Sequence, residues 1–157
     1  MTTKRYLGRL IHAKLLPKTE NGYTACRWCE GDVLPPKRTM CSPECVHEIL
    51  IRTNNRYMRE FIYNRDKGIC SMCNIDTKKI ARIALSLEGD ERIQYLKDHK
   101  ITAKRKIWKR KFGGGLWDAD HIVAVKDGGG CCGDDNIRTL CISCHKTRTA
   151  NDASNKN

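Results

Sequence analysis

Residues 117–149 read WDADHIVAVKDGGGCCGDDNIRTLCISCHKTRT. An acid and an imidazole stand side by side at Asp120 and His121. Asn136 follows, and then His145, directly behind the pair Cys141-x-x-Cys144. The apolar residues Ile122, Val123 and Val125 predict a short strand and Ile137 to Leu140 a second, with the glycine-rich stretch 126–135 as the loop between them. Ser143 predicts the cap of a closing helix that runs to about residue 151. Neighbours on such a helix point about 100° apart, so Cys144 and His145 can face different centres. Adjacent strand residues point to opposite faces, so Asp120 and His121 can share a site only where the chain kinks.

Outward from this stretch, cysteines recur in pairs. Zinc favours four thiolates in a tetrahedron, and C-x-x-C lets one tight turn offer two of them. Cys26, Cys29, Cys41 and Cys45 supply one full set flanking a single loop. Cys70 and Cys73 form a further pair, and by count they are left to join Cys141 and Cys144 across a long intervening stretch. Cys131 and Cys132 are left over as exposed thiols, because adjacent cysteines chelate one metal poorly. His47 is either a replacement ligand or, more in keeping with its place on a helix, a surface residue. His12 and His99 read as surface residues.

The segments between the pairs are helical in pattern. Ser42-Pro43-Glu44 has the residue types of a helix start, and 43–66 predicts a helix with a break near Thr53-Asn54-Asn55. Residues 76–99 carry helical spacing interrupted at Gly89. Lys100 to Lys111 is strongly basic around Trp108, which either stacks on an exposed base or anchors the run to the core. The division expected is a basic arm over 1–20, a four-cysteine module over 21–55, and a third region over 56–157 with a helical, basic insertion at 76–112.

The 157 residues carry 30 Lys and Arg against 18 Asp and Glu, a net charge of +12. A chain this basic is built to meet a polyanion, and DNA is the expected partner. Apolar residues make up 39% and aromatics 6%, a lean core that bound metal would supplement. The N-terminus lacks the apolar stretch of a signal peptide and no run approaches a membrane span. The expected setting is therefore intracellular, where thiols stay reduced: a bacterial or phage-host cytoplasm, or the nucleus in a eukaryote. A monomer with no membrane partner is expected.

Asp120-His121, Asn136 and His145, with Cys141-x-x-Cys144 abutting the last histidine, resemble the HNH endonuclease motif. Upstream, Arg65-Asp66-x-Gly68-x-Cys70-x-x-Cys73 is similar to the zinc-bearing branch of that family. The resemblance covers roughly residues 57–150. The four-cysteine module ahead of it resembles the C-terminal arrangement of an annealing-helicase family and that of some stand-alone bacterial and phage nucleases. The resemblance implies an α+β fold: a small zinc-stapled ββα-metal nuclease domain, preceded by a helical segment and a treble-clef-like four-cysteine zinc module. It implies that Cys70, Cys73, Cys141 and Cys144 share a second structural zinc.

The resemblance also implies roles at the site. Asp120 and His145 would hold one catalytic divalent cation, Mg²⁺ or Mn²⁺. His121 would be the general base, which suits an imidazole with a pKa near 6.5. Asn136 would fix the loop and orient His121. Thr149 stands where some relatives carry another metal-binding histidine, so water would fill that position. The function implied is hydrolysis of DNA phosphodiester bonds, by nicking or by structure-dependent cleavage. Lys104, Arg105, Lys106, Lys109, Arg110 and Lys111, with Arg138, Lys146 and Arg148 beside the motif, are the candidate phosphate contacts. The competing reading is a zinc-dependent DNA-binding or adaptor protein that never cuts.

Overall fold

The computed structural model describes residues 11–101 and 115–154. The basic run from Lys104 to Lys111, with Trp108, lies outside the described residues. So does the first half of the expected N-terminal arm, residues 1–10. The chain divides into two compact units between Met58 and Arg59.

The first unit is built on its cysteines. Strands β1 (Thr24–Ala25) and β2 (Asp32–Val33) form an antiparallel hairpin, and the turn between them carries Cys26 and Cys29. Helix α1 (Pro43–Thr53) follows, with Pro43 in its first turn and the Ser42 hydroxyl accepting from the Cys45 N–H. That cap fixes Cys45 at the helix start, facing the hairpin. The buried cluster is small: Cys26, Val33 and Cys45, with Trp28, Met40 and Cys41 packed against it. The Arg52 guanidinium lies 4.4 Å from the Trp28 ring centroid. Asn54 breaks the helix in an extended conformation, and its side chain accepts from the Tyr57 N–H to start α2 (Asn55–Arg65). The break therefore falls where the asparagines sit.

The second unit is the α+β part. Helices α3 (Thr77–Ser86) and α4 (Gly89–Asp98) pack against each other. Ile80, Ala81, Ala84 and Leu96 meet Ile101 and Leu116 in one buried cluster. Asp76 caps α3 by accepting from the Lys79 N–H. Gly68 precedes the cysteine turn at φ +72°, a conformation that side chains rarely tolerate. A Cβ there would also lie 2.8 Å from the Tyr63 ring.

Strands β3 (Trp117–His121) and β4 (Ile137–Cys141) pair antiparallel, with Asp120 opposite Arg138 and His121 opposite Ile137. Helix α5 (Ile142–Ser154) follows β4 without a loop and packs on both strands. This is the ββα order. Two local expectations are corrected. The first strand is Trp117–His121 rather than Ile122–Val125, because the Asn136 side chain takes the N–H and carbonyl of Val123 and Arg148 takes the carbonyl of Ile122. Ser143 lies inside the first turn of α5, where its hydroxyl donates to the Lys100 carbonyl rather than capping the helix.

Candidate active site and metal centres

The eight paired cysteines gather into two clusters: Cys26, Cys29, Cys41 and Cys45, and Cys70, Cys73, Cys141 and Cys144. Within each, all sulfurs lie within 4.8 Å of one another. Zinc–sulfur bonds of about 2.3 Å place tetrahedral sulfurs about 3.8 Å apart. The Sγ separations are 3.4 Å for Cys29–Cys41, 3.5 Å for Cys41–Cys45 and 3.7 Å for Cys73–Cys141. The donor sets therefore fit zinc. Cys131 and Cys132 belong to neither cluster; Cys131 is exposed. His47 is not in the first cluster, and its Nδ1 lies 2.9 Å from the Tyr57 hydroxyl.

Backbone N–H groups prepare one sulfur in each cluster for the metal. Burial alone would raise the Cys26 thiol, but the N–H groups of Cys29, Trp28 and Cys41 outweigh it and bring it down to about 7. Cys70 behaves alike: burial opposes the N–H groups of Cys141, Cys73 and Met72, which win and lower it to about 7. Burial and neighbouring thiols push Cys41 up to about 12, and they push Cys144 up as well. A metal must displace those retained protons, so affinity falls as the medium is acidified.

The second cluster is tied into the sheet. The Ser71 N–H donates to the Thr139 carbonyl at 2.9 Å, and Asp66 accepts from the Thr139 N–H at 2.8 Å. Arg65 pairs with Asp66 at 2.7 Å and donates to the carbonyls of Asp134 and Ile137. Burial would raise the Asp66 carboxyl, but Arg65 and the Thr139 N–H hold it below the usual carboxylate range. Arg65 and Asp66 thus lock the start of β4 to the cysteine turn.

Asp120, His121 and His145 line one cleft of about 180 Å³ with Ala124, Val125 and Arg148. Asp120 is buried and its two oxygens face different ways. Oδ2 accepts from Arg138 Nε at 3.0 Å and from Arg148. Oδ1 lies 4.0 Å from His145 Nε2. Octahedral ligand bonds of about 2.1 Å set neighbouring ligand atoms about 3.0 Å apart, so a modest closure of this pair would seat one cation between them.

His121 is the last residue of β3, and the chain bends directly after it. Arg148 donates to the carbonyls of His121 and Ile122. The Asn136 side chain accepts from the Val123 N–H at 2.8 Å and donates to the carbonyls of Val123 and Gly129 at 3.1 and 3.0 Å. The Ile122 N–H donates to the Asn136 carbonyl at 2.9 Å. Gly129 is held so tightly that a Cβ would meet the Val123 oxygen at 1.8 Å. Thr149 turns its hydroxyl back to the His145 carbonyl at 2.9 Å.

Of the three cations beside the motif, Lys146 is exposed. Arg138 and Arg148 are instead directed at Asp120, and the Arg148 side chain is only 16% exposed. Asp118, which was not among the expected site residues, also stands at the cleft edge beside His145. It lies 3.5 Å from His145 Nδ1 and 3.2 Å from Arg59. The signal was present: in a strand, residues two apart share a face, so Asp118 accompanies Asp120.

Residues 108–151 match the family model described as HNH endonuclease. The chain is 31% identical over 149 residues to the mouse (Mus musculus) protein described as DNA annealing helicase and endonuclease ZRANB3, covering 85% of this chain and 14% of that protein. The Bos taurus protein of the same description is 34% identical over 119 residues, covering 72% of this chain and 11% of its own length. The Homo sapiens protein is 33% identical over 118 residues, with the same two coverages. The chain thus spans 11 to 14% of the length of these relatives. The crystal structure of the human ZRANB3 HNH domain superposes with a TM-score of 0.50 at 29% identity, covering 62% of this chain and 87% of that one.

Proposed function

The chain carries an HNH endonuclease domain, and from that premise we propose that it hydrolyses phosphodiester bonds in DNA at the cleft formed by Asp120, His121 and His145. The observation that carries this reading is the 4.0 Å gap between Asp120 Oδ1 and His145 Nε2, in the cleft that His121 also lines. A divalent cation held there would neutralise charge on the phosphate and on the departing oxygen. Oxygen chemistry and the sparse protein ligand set favour Mg²⁺ or Mn²⁺.

His121 takes the proton from a water whose oxygen attacks phosphorus. The bond to the 3′ oxygen breaks and that oxygen takes a proton from solvent, leaving a 5′ phosphate and a 3′ hydroxyl. Asn136 holds the loop that follows His121, so the imidazole is presented from a fixed backbone. Arg148 clamps that same backbone to Asp120 rather than reaching for phosphate. Lys146 and the run Lys104, Arg105, Lys106, Lys109, Arg110 and Lys111 supply the phosphate contacts, with a smaller share from Arg138. The two cysteine clusters hold structural zinc. Reduced thiols in such number suit an intracellular setting, and no described helix is long and apolar enough to cross a membrane.

One such site cuts one strand, so a double-strand break needs two binding events, a dimer or a branched substrate. A nicking assay on supercoiled, linear, flapped and forked DNA with Mg²⁺, Mn²⁺ or neither tests the proposal. Metal-dependent cutting with 5′-phosphate ends is expected. Binding without cutting under every condition would hand the chain to the adaptor reading.

A further inference from the structure

We propose that Asp118 is a positioning residue for His145, setting which ring nitrogen meets the metal, and that Arg59 braces it against the core. This rests on the reading of Asp120 and His145 as ligands of one cation.

The His145 ring lies between two carboxylates of one strand face. Its Nδ1 is 3.5 Å from Asp118 Oδ2, and its Nε2 is 4.0 Å from Asp120 Oδ1. A neutral imidazole carries one proton, on one nitrogen or the other. With the proton on Nδ1, directed at Asp118, the lone pair of Nε2 faces Asp120 and is available to a cation. The other tautomer would put a proton where the metal must bind. A carboxylate beside Nδ1 selects the first arrangement and makes the ring a stronger donor. Asp118 is not placed as a third ligand, because it faces the ring nitrogen opposite the one that approaches Asp120.

Asp118 is itself held. Its Oδ1 accepts from Arg59 Nη1 at 3.2 Å, and Arg59 Nη2 donates to the Trp117 carbonyl at 3.2 Å. The guanidinium lies 4.4 Å from the Trp117 ring centroid. That ring is 1% exposed and stacks on Tyr63, with centroids 5.0 Å apart and planes 20° apart. The stacked aromatic pair thus backs Arg59, Arg59 holds Asp118, and Asp118 is left standing 3.5 Å from the imidazole.

The test uses the full zinc-loaded chain and Mn²⁺ as the probe, with bound and free ion separated by electron paramagnetic resonance. Binding that His145→Ala abolishes defines the site. Asp118→Asn and Asp118→Ala should weaken it about tenfold or more, with zinc content unchanged. Asp118→Glu should restore part of the loss, and Arg59→Leu should lose less than Asp118→Ala. Nitrogen-15 NMR of the manganese-free protein should show His145 protonated at Nδ1, and a tautomer mixture in Asp118→Ala. Should Asp118→Ala fail to fold, the near-isosteric Asp118→Asn decides.

Wild-type Mn²⁺ affinity and an unchanged tautomer in the Asp118 variants would overturn the proposal. So would loss as complete as in His145→Ala with the tautomer intact, which would make Asp118 a ligand. A wild-type chain that binds Mn²⁺ through His145 but cuts no DNA would sink the nuclease reading and leave the Asp118 role standing.

Discussion

The two cysteine clusters have the same chemistry and opposite architecture. The first draws its four cysteines from the hairpin turn, the loop after it and the start of α1, Cys26 to Cys45. The second joins Cys70 and Cys73 to Cys141 and Cys144, closing a loop that contains α3, α4 and β3. Its last two ligands end β4 and begin α5, and His145 is the next residue. Loss of the local cluster is expected to leave the cleft intact and loss of the long-range one to destroy it, because Cys144 is followed directly by His145. Two identical donor sets therefore carry different functional weight, and the weight comes from what the chain places next to them.

The hardest way to break this contrast is to remove a ligand from each cluster. Cys141→Ser should lower bound zinc from two ions to one and unfold the second unit, since structural zinc supplies on the order of 10 kcal/mol or more of folding free energy. Cutting should vanish with it. Gly129→Ala should come next. A Cβ meeting the Val123 oxygen at 1.8 Å forces the His121 loop to move, and a displacement of that kind costs about 10² in rate. Both zinc ions should stay bound, as metal analysis would show.

Asp66→Asn should act on stability alone, by about 1–2 kcal/mol at neutral pH. Because the folded carboxyl is depressed, its contribution is present above the unfolded pKa of about 3.9 and is lost as pH falls through the folded value. The difference between wild type and variant in urea melts should therefore narrow in acid. Cys26→Ser should have the smallest effect on cutting, within roughly threefold if the two units are independent, while still costing one zinc. A large loss of cutting in that variant would mean that the first unit does more than fold itself.

The local features of this molecule could be read from its residues. A C-x-x-C pair is its own signal, and Ser42-Pro43-Glu44 starts a helix as its residue types require. The break at Asn54 follows from the same kind of local chemistry. The strand Trp117–His121 was hidden because two of its five residues are aspartates, which strands disfavour, while the apolar Ile122, Val123 and Val125 looked more like a strand and lie in the bend and turn beyond it. Arg148 looked like a phosphate contact because pairing with a buried carboxylate across 28 residues leaves no mark in the sequence. Asp118 was legible by alternation with Asp120, but only once the strand had been placed.

The role proposed for His121 is proton abstraction in a metal-dependent cut. The direct measurement is the single-turnover rate of His121→Ala on supercoiled plasmid with Mg²⁺ or Mn²⁺, in protein shown to retain two zinc ions. The rate should fall by about 10² to 10⁴ while DNA binding is unchanged. Cutting at the wild-type rate by that variant would contradict the account.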